Sequence, residues 1–162
     1  MKKLLLFLIL GALAARAQTA PLAIETQVAE ATRSDHVTIV HFWAPWCPNC
    51  KAELADHGWK TFIEANPSVK VIFVTTWNPT DGRDVLTKNG VGDQANFTLL
   101  LHPNGSRKKG DKVTQFLGLP VSWIPSTWIF KDGKLRYAMN FGELHFPMLQ
   151  QLVVDSSSKW EH

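Results

Sequence analysis

Two cysteines, Cys47 and Cys50, are the residues of this sequence whose type and spacing best suit covalent chemistry. They are the only cysteines in the 162 residues, and two residues separate them. A disulfide between them would close so short a loop that it would remove little entropy from the unfolded chain, and so would stabilise the fold weakly. The pair is therefore predicted to cycle between dithiol and disulfide rather than to staple the structure.

The elements around the pair predict that the two thiols differ. Residues 37–43 are β-branched and aromatic, which is typical of a buried strand, and residues 48–65 are good helix formers. Cys47 would begin that helix, where unpaired backbone N–H groups and the helix dipole favour a thiolate. Since the thiolate is the nucleophile in exchange, Cys47 is predicted to attack. Cys50, one turn further along, is predicted to be shielded and to resolve the mixed disulfide.

Metal binding is the main alternative use of two closely spaced cysteines. A zinc site of this spacing needs four ligands, and the sequence has no second cysteine pair. Haem attachment needs a histidine directly after the second cysteine, and that residue is Lys51. Cu(I) tolerates two thiolates and one imidazole, so a copper-binding chaperone stays open as an alternative. Otherwise the residues imply no metal and no cofactor.

The order of the other elements predicts an α/β fold. Residues 69–76 read as a second buried strand, and a strand, helix, strand order implies parallel pairing through a right-handed crossover. Asp132 and Gly133 lie between two apolar runs and predict an antiparallel hairpin. A final helix is predicted to begin near Pro147. Shorter helices are predicted at 24–32 and 83–89 and a strand at 97–101, while Gly58 is expected to mark a kink in the helix at 48–65.

Two separate blocks of the sequence resemble thioredoxins. Residues 42–51 read Phe-Trp-Ala-Pro-Trp-Cys-Pro-Asn-Cys-Lys and look like the active-site segment of that family. Residues 124–133 read Ile-Pro-Ser-Thr-Trp-Ile-Phe-Lys-Asp-Gly and resemble the stretch that holds the family's cis-proline and the hairpin after it. The resemblance runs from about residue 37 to the C-terminus. It implies a thioredoxin-like three-layer fold, with a central mixed sheet flanked by helices.

A subgroup of the family fits best. The residues Cys50-Lys51-Ala52-Glu53 are similar to those of exported TlpA/ResA-like thiol-disulfide oxidoreductases, which carry a helix-strand insertion before the cis-proline. Residues 78–112 are the matching place for that insertion. Two features depart from the pattern: residues 18–37 are too few for the usual N-terminal β-hairpin, and the helix lacks the proline often found after the glutamate. The missing hairpin puts the partner surface in doubt, not the chemistry.

The resemblance also implies which residues bind the substrate. Pro125 would follow a cis peptide bond, and the backbone of Ile124 would pair with an extended substrate opposite the cysteines. Trp46, Pro48 and Asn49 would form the exposed rim around the reactive sulfur.

Two residues are candidates for moving the proton of Cys50. Glu53 lies three residues after Cys50 and therefore on the same helix face. His41 stands where thioredoxins carry a buried acid, and an unperturbed histidine pKa near 6.5 suits proton transfer at neutral pH. A solvated surface glutamate and a hydrogen-bonded core histidine remain the alternatives.

The N-terminus predicts export. Two lysines, an apolar run and the triplet Ala15-Arg16-Ala17 have the layout of a secretory signal peptide at residues 1–17, and the apolar run is shorter than the roughly 20 residues that span a bilayer. Its removal would leave a soluble domain at 18–162 with 14 basic and 14 acidic residues. The high pI of the whole chain would then belong to the signal, which argues against a nucleic-acid partner. The basic cluster at 107–112 is interpreted as a solvated loop.

These features together predict an exported, periplasmic thiol-disulfide oxidoreductase that acts as a monomer on exported protein disulfides or thiols. The TlpA/ResA resemblance favours a reductase of the cytochrome-maturation type, kept reduced by a membrane redox donor. A disulfide-donating oxidase or isomerase is the alternative, because reduction potentials in this fold range from about −270 to about −120 mV.

Overall fold

A mixed five-stranded sheet forms the centre of the computed structural model, which describes residues 22–140 and 143–158; the predicted signal peptide at 1–17 lies outside them. Its strands are β1 (Thr38–Trp43), β2 (Lys70–Thr75), β3 (Phe97–Leu101), β6 (Ser126–Lys131) and β7 (Lys134–Met139), in the order β3-β2-β1-β6-β7. A separate small hairpin pairs β4 (Gln115–Phe116) with β5 (Leu119–Pro120). The predicted mixed sheet is confirmed, whereas no sequence pattern predicted the small hairpin.

Helices flank this sheet. They are α1 (Ala23–Thr32), α2 (Pro48–Leu54), α3 (Gly58–Ala65), α4 (Arg83–Lys88) and α5 (Phe146–Ser157). α1 contacts β1, and α5 contacts both β6 and α3. In the part of the chain that the structure describes, none of the helices has the length and apolar character to cross a membrane.

β1 carries the chain to the cysteines through the middle of the sheet. All six of its residues are buried, as the apolar run predicts. The strand pairs in parallel with β2 and antiparallel with β6, in a register that sets His41 opposite Phe73 on one side and Thr127 on the other. The register thus brings a polar pair, His41 and Thr127, into the interior near the end of the strand.

The predicted insertion adds a strand to the main sheet. Residues 78–112 contain α4 and β3, and β3 pairs in parallel with β2 as the edge strand. The predicted hairpin after Pro125 is also present. Asp132 and Gly133 both have positive φ, 54° and 73°, which is the backbone geometry that an Asp-Gly hairpin turn requires.

The helix predicted at 48–65 is broken into two. A 3₁₀ turn over Ala55–His57 separates α2 from α3, and the left-handed residues are Asp56 and His57, with φ of 51° and 55°. Gly58 itself has ordinary helical geometry. A Cβ atom on Gly58 would lie 2.3 Å from Cε2 of Phe146, so the glycine permits close packing of α3 on α5 and the kink lies just before it.

Gly58→Ala is expected to destabilise the protein by about 1–2 kcal/mol. Helix propensity alone would stabilise the alanine variant by about 1 kcal/mol, but the Phe146 ring packs edge-on against Trp59 and has to move to admit a methyl group. Urea denaturation measures the difference, with the exposed Thr61→Ala on the same helix as the control. A Gly58→Ala protein more stable than the wild type would contradict the packing argument.

Candidate active site

Cys47 lies at the N-terminus of α2, as predicted. It is the N-cap residue with extended backbone, and Pro48 occupies the first turn. The backbone N–H of Cys50 donates to the Cys47 Sγ at a distance of 3.5 Å. Both cysteines are free thiols, with 5% of Cys47 and 2% of Cys50 exposed. Cys50 is therefore the more shielded of the two, and Cys47 receives the helix-terminal N–H that suits an anionic sulfur.

The segment before β6 faces the Cys47 sulfur. The Ile124–Pro125 peptide bond is cis. The Cys47 thiol donates to the Ile124 carbonyl oxygen at a distance of 3.7 Å. The two blocks that resemble thioredoxins, 77 residues apart at these two positions, therefore meet at one sulfur atom.

A groove with a volume of about 390 Å³ opens beside this sulfur. The predicted rim residues Trp46, Pro48 and Asn49 line it together with Cys47 and Ile124. Pro48 and Asn49 are exposed, whereas Trp46 is half-buried. Four further lining residues were missed by sequence reasoning: Trp77, Lys112, Ser122 and Trp123. Of these, Trp123 alone carried a usable signal, an aromatic side chain two residues before the proline.

Trp46 both packs and lines the groove. Its Nε1 donates to the Trp77 carbonyl oxygen at 3.1 Å, which fixes the ring against the segment after β2. The Arg107 guanidinium lies 3.8 Å from the centroid of the Trp46 ring, and the Lys112 Nζ lies 3.9 Å from that of Trp77. Residues 107–111 are exposed and Lys112 is half-buried, in agreement with a solvated loop, but Arg107 and Lys112 also cover aromatic rings.

Glu53 is a buried acid, only 2% exposed. Its Oε1 accepts from the Leu144 backbone N–H at 2.9 Å, and its Oε2 accepts from the Trp59 Nε1 at 3.2 Å. The alternative of a solvated surface glutamate is thus wrong. The carboxyl group is held in one orientation by two donors from different elements.

His41 joins the same network. Its Nε2 lies 3.2 Å from the Glu53 Oε2, and its Nδ1 lies 2.9 Å from the Thr127 Oγ1. The rings of Trp59 and Phe73 pack on the imidazole at centroid distances of 4.7 and 4.6 Å. The two proton-transfer candidates therefore form one hydrogen-bonded unit with Thr127.

Burial shifts the pKa values of Glu53 and His41 in opposite directions. It raises the pKa of Glu53 to about 7, against the effect of the Trp59 and Leu144 donors and with a smaller contribution from the charge of Glu143. Burial lowers the pKa of His41 to about 3. The expectation that His41 titrates near neutral pH was wrong, because the surrounding rings exclude the water that an imidazolium needs. The contact with Glu53 is therefore a hydrogen bond from a neutral imidazole.

Cys50 responds to the charge of Glu53. Burial raises the pKa of the Cys50 thiol, and the hydrogen bond to Cys47 and the negative charge on Glu53 raise it further. Within residues 22–140 and 143–158, no hydrogen bond joins the Cys50 thiol to Glu53 directly. A cavity of about 30 Å³, lined by Glu53, Pro125, Thr127, Met139, Glu143, Leu144 and Met148, borders the carboxyl group and has room for a water molecule.

His41 is not available as the imidazole ligand of a copper ion. Both of its ring nitrogens are engaged, one by Thr127 and one by Glu53. Among the described residues, no three His, Cys, Asp or Glu side chains are grouped in a way that could hold a metal ion. The described part of the chain therefore does not provide the imidazole that the copper alternative combined with the two thiolates.

Comparison with known sequences gives one partial match. No protein-family model matches the sequence. It is similar to the sporulation thiol-disulfide oxidoreductase A of Bacillus subtilis (strain 168), with 34% identity over 89 residues, or 54% of this chain and 51% of the relative. The match thus spans about half the length of that curated relative.

Solved structures with the same architecture are more numerous, and two represent them. A secreted Mycobacterium tuberculosis disulfide oxidoreductase homologous to E. coli DsbE superposes with a TM-score of 0.57 and 21% identity, over 77% of this chain and 85% of that one. A DsbF homologue from Corynebacterium diphtheriae superposes with a TM-score of 0.56 and 19% identity, over 78% and 74%. At these identities the likeness shows a shared fold.

Proposed function

We propose that this chain is a thioredoxin-like thiol-disulfide oxidoreductase that exchanges disulfides through Cys47 and Cys50. One observation carries the proposal. The Cys47 sulfur caps a helix, receives the Cys50 N–H and faces the carbonyl of the cis Ile124–Pro125 bond. Such a sulfur is suited to be a thiolate, and its surroundings offer a backbone edge for a substrate chain.

In the first step the Cys47 thiolate attacks one sulfur of a substrate disulfide. A new bond forms between the Cys47 Sγ and that sulfur, the substrate S–S bond breaks, and the other substrate sulfur leaves with the electron pair and takes up a proton. The groove beside Cys47 is where the substrate chain lies, next to the Ile124 backbone.

In the second step Cys50 loses its proton and attacks the Cys47 sulfur. The substrate's remaining sulfur leaves as a thiolate and is protonated, so the substrate gains two electrons and the protein holds a Cys47–Cys50 disulfide. Because the pKa of the Cys50 thiol is raised, this step needs a base. The reverse sequence would donate a disulfide.

Glu53 is the base that we assign to this step. The pKa of its carboxyl group is about 7, so a large fraction is ionised at neutral pH and can accept a proton. The adjoining cavity has room for a water molecule next to the carboxyl group. His41 stays neutral and acts as a positioning residue that, with Thr127, fixes the carboxyl group through Nε2.

The direction that we favour is reduction of the substrate. A cysteine pair is strongly oxidising when its reduced form is stabilised, as it is when the attacking thiolate is stabilised. Here, among the described residues, a single backbone N–H donates to the Cys47 sulfur. One donor stabilises a thiolate less than several donors would, which supports a reductase over a disulfide-donating oxidase or isomerase.

The reduction potential of the Cys47–Cys50 pair tests this direction. Equilibration with glutathione buffers, followed by counting free thiols, is expected to give a potential near the thioredoxin end of the range, about −270 mV. A value near about −120 mV would instead support the oxidase and would overturn the reductase proposal.

The substrates that we propose are exported proteins. The sequence pattern at residues 1–17 supports export to the periplasm, and the Mycobacterium tuberculosis protein of similar fold is named as secreted. A reductase outside the cytoplasm consumes electrons, so the Cys47–Cys50 disulfide would be reduced again by a membrane redox donor. The TlpA/ResA resemblance favours proteins of cytochrome maturation as the substrates. The protein would act on them as a monomer.

A further inference from the structure

The loop at 104–113 lies beside the groove next to Cys47 and contributes Lys112 to its lining. The Arg107 guanidinium stacks on the Trp46 ring, and the Lys112 Nζ lies over the Trp77 ring. Lys112 also lines the groove directly. Two cations from one loop therefore stand on the aromatic side chains that flank the reactive sulfur.

Packing interactions hold this loop in place. The Trp77 Nε1 donates to the Val113 carbonyl oxygen at 3.0 Å. At the other end of the loop, a Cβ atom on Gly105 would lie 2.6 Å from the backbone oxygen of Asn78, so the loop backbone is in close contact with the segment after β2. These contacts anchor the two ends of the loop that carries Arg107 and Lys112.

Arg107 and Lys112, two cations of this loop, form no ion pair with any described acidic residue. Lys112 is also the sole charged residue among those that line the groove. A cation that stacks on a ring keeps its outer side free for an anion, and the planar Arg107 guanidinium suits a carboxylate.

The other side of the groove is apolar. Trp123 lines it with 58% of its side chain exposed, directly before the Ile124 backbone that faces Cys47. A large exposed aromatic side chain beside a reactive sulfur is well suited to contact an apolar side chain of a bound segment.

We propose that Arg107, Lys112 and Trp123 select substrate segments in which the reactive cysteine is flanked by a carboxylate side chain and an apolar side chain. The occupant of the groove is thus an extended, acidic and apolar stretch of a partner protein. This inference rests on the disulfide exchange proposed above. Charge complementarity across the groove favours such a segment over a neutral or basic one.

Two synthetic peptides test the selection. Each carries one cysteine next to a leucine, as a mixed disulfide with 2-thiopyridine, and they differ only in having glutamates or glutamines on either side. When Cys47 attacks the peptide sulfur, the S–S bond breaks and 2-thiopyridone leaves with the electron pair. The reduced protein is expected to react about fivefold faster with the glutamate peptide at low salt, since each exposed ion pair contributes about 0.2–1 kcal/mol. Added salt is expected to shrink that ratio.

Two double variants assign the effect to the stacked cations. Arg107→Gln with Lys112→Gln is expected to reduce the ratio to about one, because it removes the two charges that lie over groove-lining rings. Lys108→Gln with Lys109→Gln removes the same charge from the same loop, but neither lysine lines the groove or is recorded over a ring that does, so the ratio is expected to stay. Trp123→Ala is expected to slow both peptides alike, since both contain the leucine.

The outcomes separate this inference from the function on which it rests. Equal rates for the two peptides, or an equal loss of the ratio in both double variants, would overturn the selection while leaving the exchange intact. If neither peptide released 2-thiopyridone, the exchange itself would be wrong.

Discussion

Cys47→Ser is expected to lower the rate of disulfide reduction by about 1,000-fold or more. A serine hydroxyl does not ionise at neutral pH, so the variant has no thiolate to attack the substrate. The helix N-terminus and the cis Ile124–Pro125 segment are unchanged in it, and binding at the groove alone cannot break a disulfide. Reduction of insulin disulfides by the chemically reduced protein measures the loss.

Cys50→Ser is the matched control for that experiment. It makes the same cysteine-to-serine change three residues further along but leaves Cys47 able to attack. The variant is therefore expected to lose turnover while still consuming one substrate disulfide per protein. Circular dichroism of both variants checks that the fold is kept. If Cys47→Ser reduced insulin as fast as the wild type, the assignment of Cys47 as the nucleophile would be wrong.

Glu53→Gln is expected to slow the second step, closure of the Cys47–Cys50 disulfide, by about 100-fold near neutral pH. General base catalysis contributes about 100- to 10,000-fold in enzymes, and glutamine cannot accept the proton of Cys50. The pKa of Glu53 is raised to about 7, so its proton-accepting form is scarce below that pH and predominates above it. The second step of the wild type is therefore expected to accelerate as the pH rises through about 7, and the variant is expected to lose that dependence.

A split between the two steps distinguishes a base from a merely structural acid. Release of 2-thiopyridone reports the attack by Cys47 and is expected to be nearly unchanged in Glu53→Gln, whereas release of the peptide thiol reports the second step and is expected to slow. Glu64→Gln on α3, whose exposed carboxylate pairs with Lys60, is the control. A Glu53→Gln protein with a wild-type pH profile for peptide release would show that Glu53 is not the base.

The parts of the account that were predictable from sequence depend on local chemistry. Short, nearly continuous apolar runs predicted β1 and β2, and the Asp132–Gly133 turn predicted the hairpin because its positive φ values are a local requirement. The position of Cys47 at the start of a helix also followed from its neighbours. The two blocks that resemble thioredoxins then indicated which distant segment would face the sulfur.

The properties of Glu53 and His41 depended on residues far along the chain. The donor to Glu53 Oε1 comes from Leu144, 91 residues later, and the partner of His41 Nδ1 is Thr127, 86 residues later. The burial that lowers the pKa of His41 comes from the rings of Trp59 on α3 and Phe73 on β2, which pack on the imidazole. The sequence predicted both residues as proton carriers, but only the folded structure shows that they belong to one hydrogen-bonded network.

Close packing also explains two features that local patterns do not reveal. Gly58 marks the predicted kink, which lies just before it, but the reason for a glycine there is the Phe146 ring of a helix near the other end of the chain. The cluster at 107–112 is exposed as predicted, but no local pattern reveals that Arg107 and Lys112 lie over Trp46 and Trp77. In both cases the decisive partner is distant in sequence.

Mass spectrometry of Cys50→Ser after incubation with a peptide disulfide tests the central claim most directly. A single covalent adduct, equal in mass to one peptide thiol, is expected on Cys47 of this variant, and dithiothreitol is expected to remove it completely. If Cys47 of the variant stayed unmodified with a peptide disulfide that the wild type reduces, Cys47 would not be the thiol that attacks.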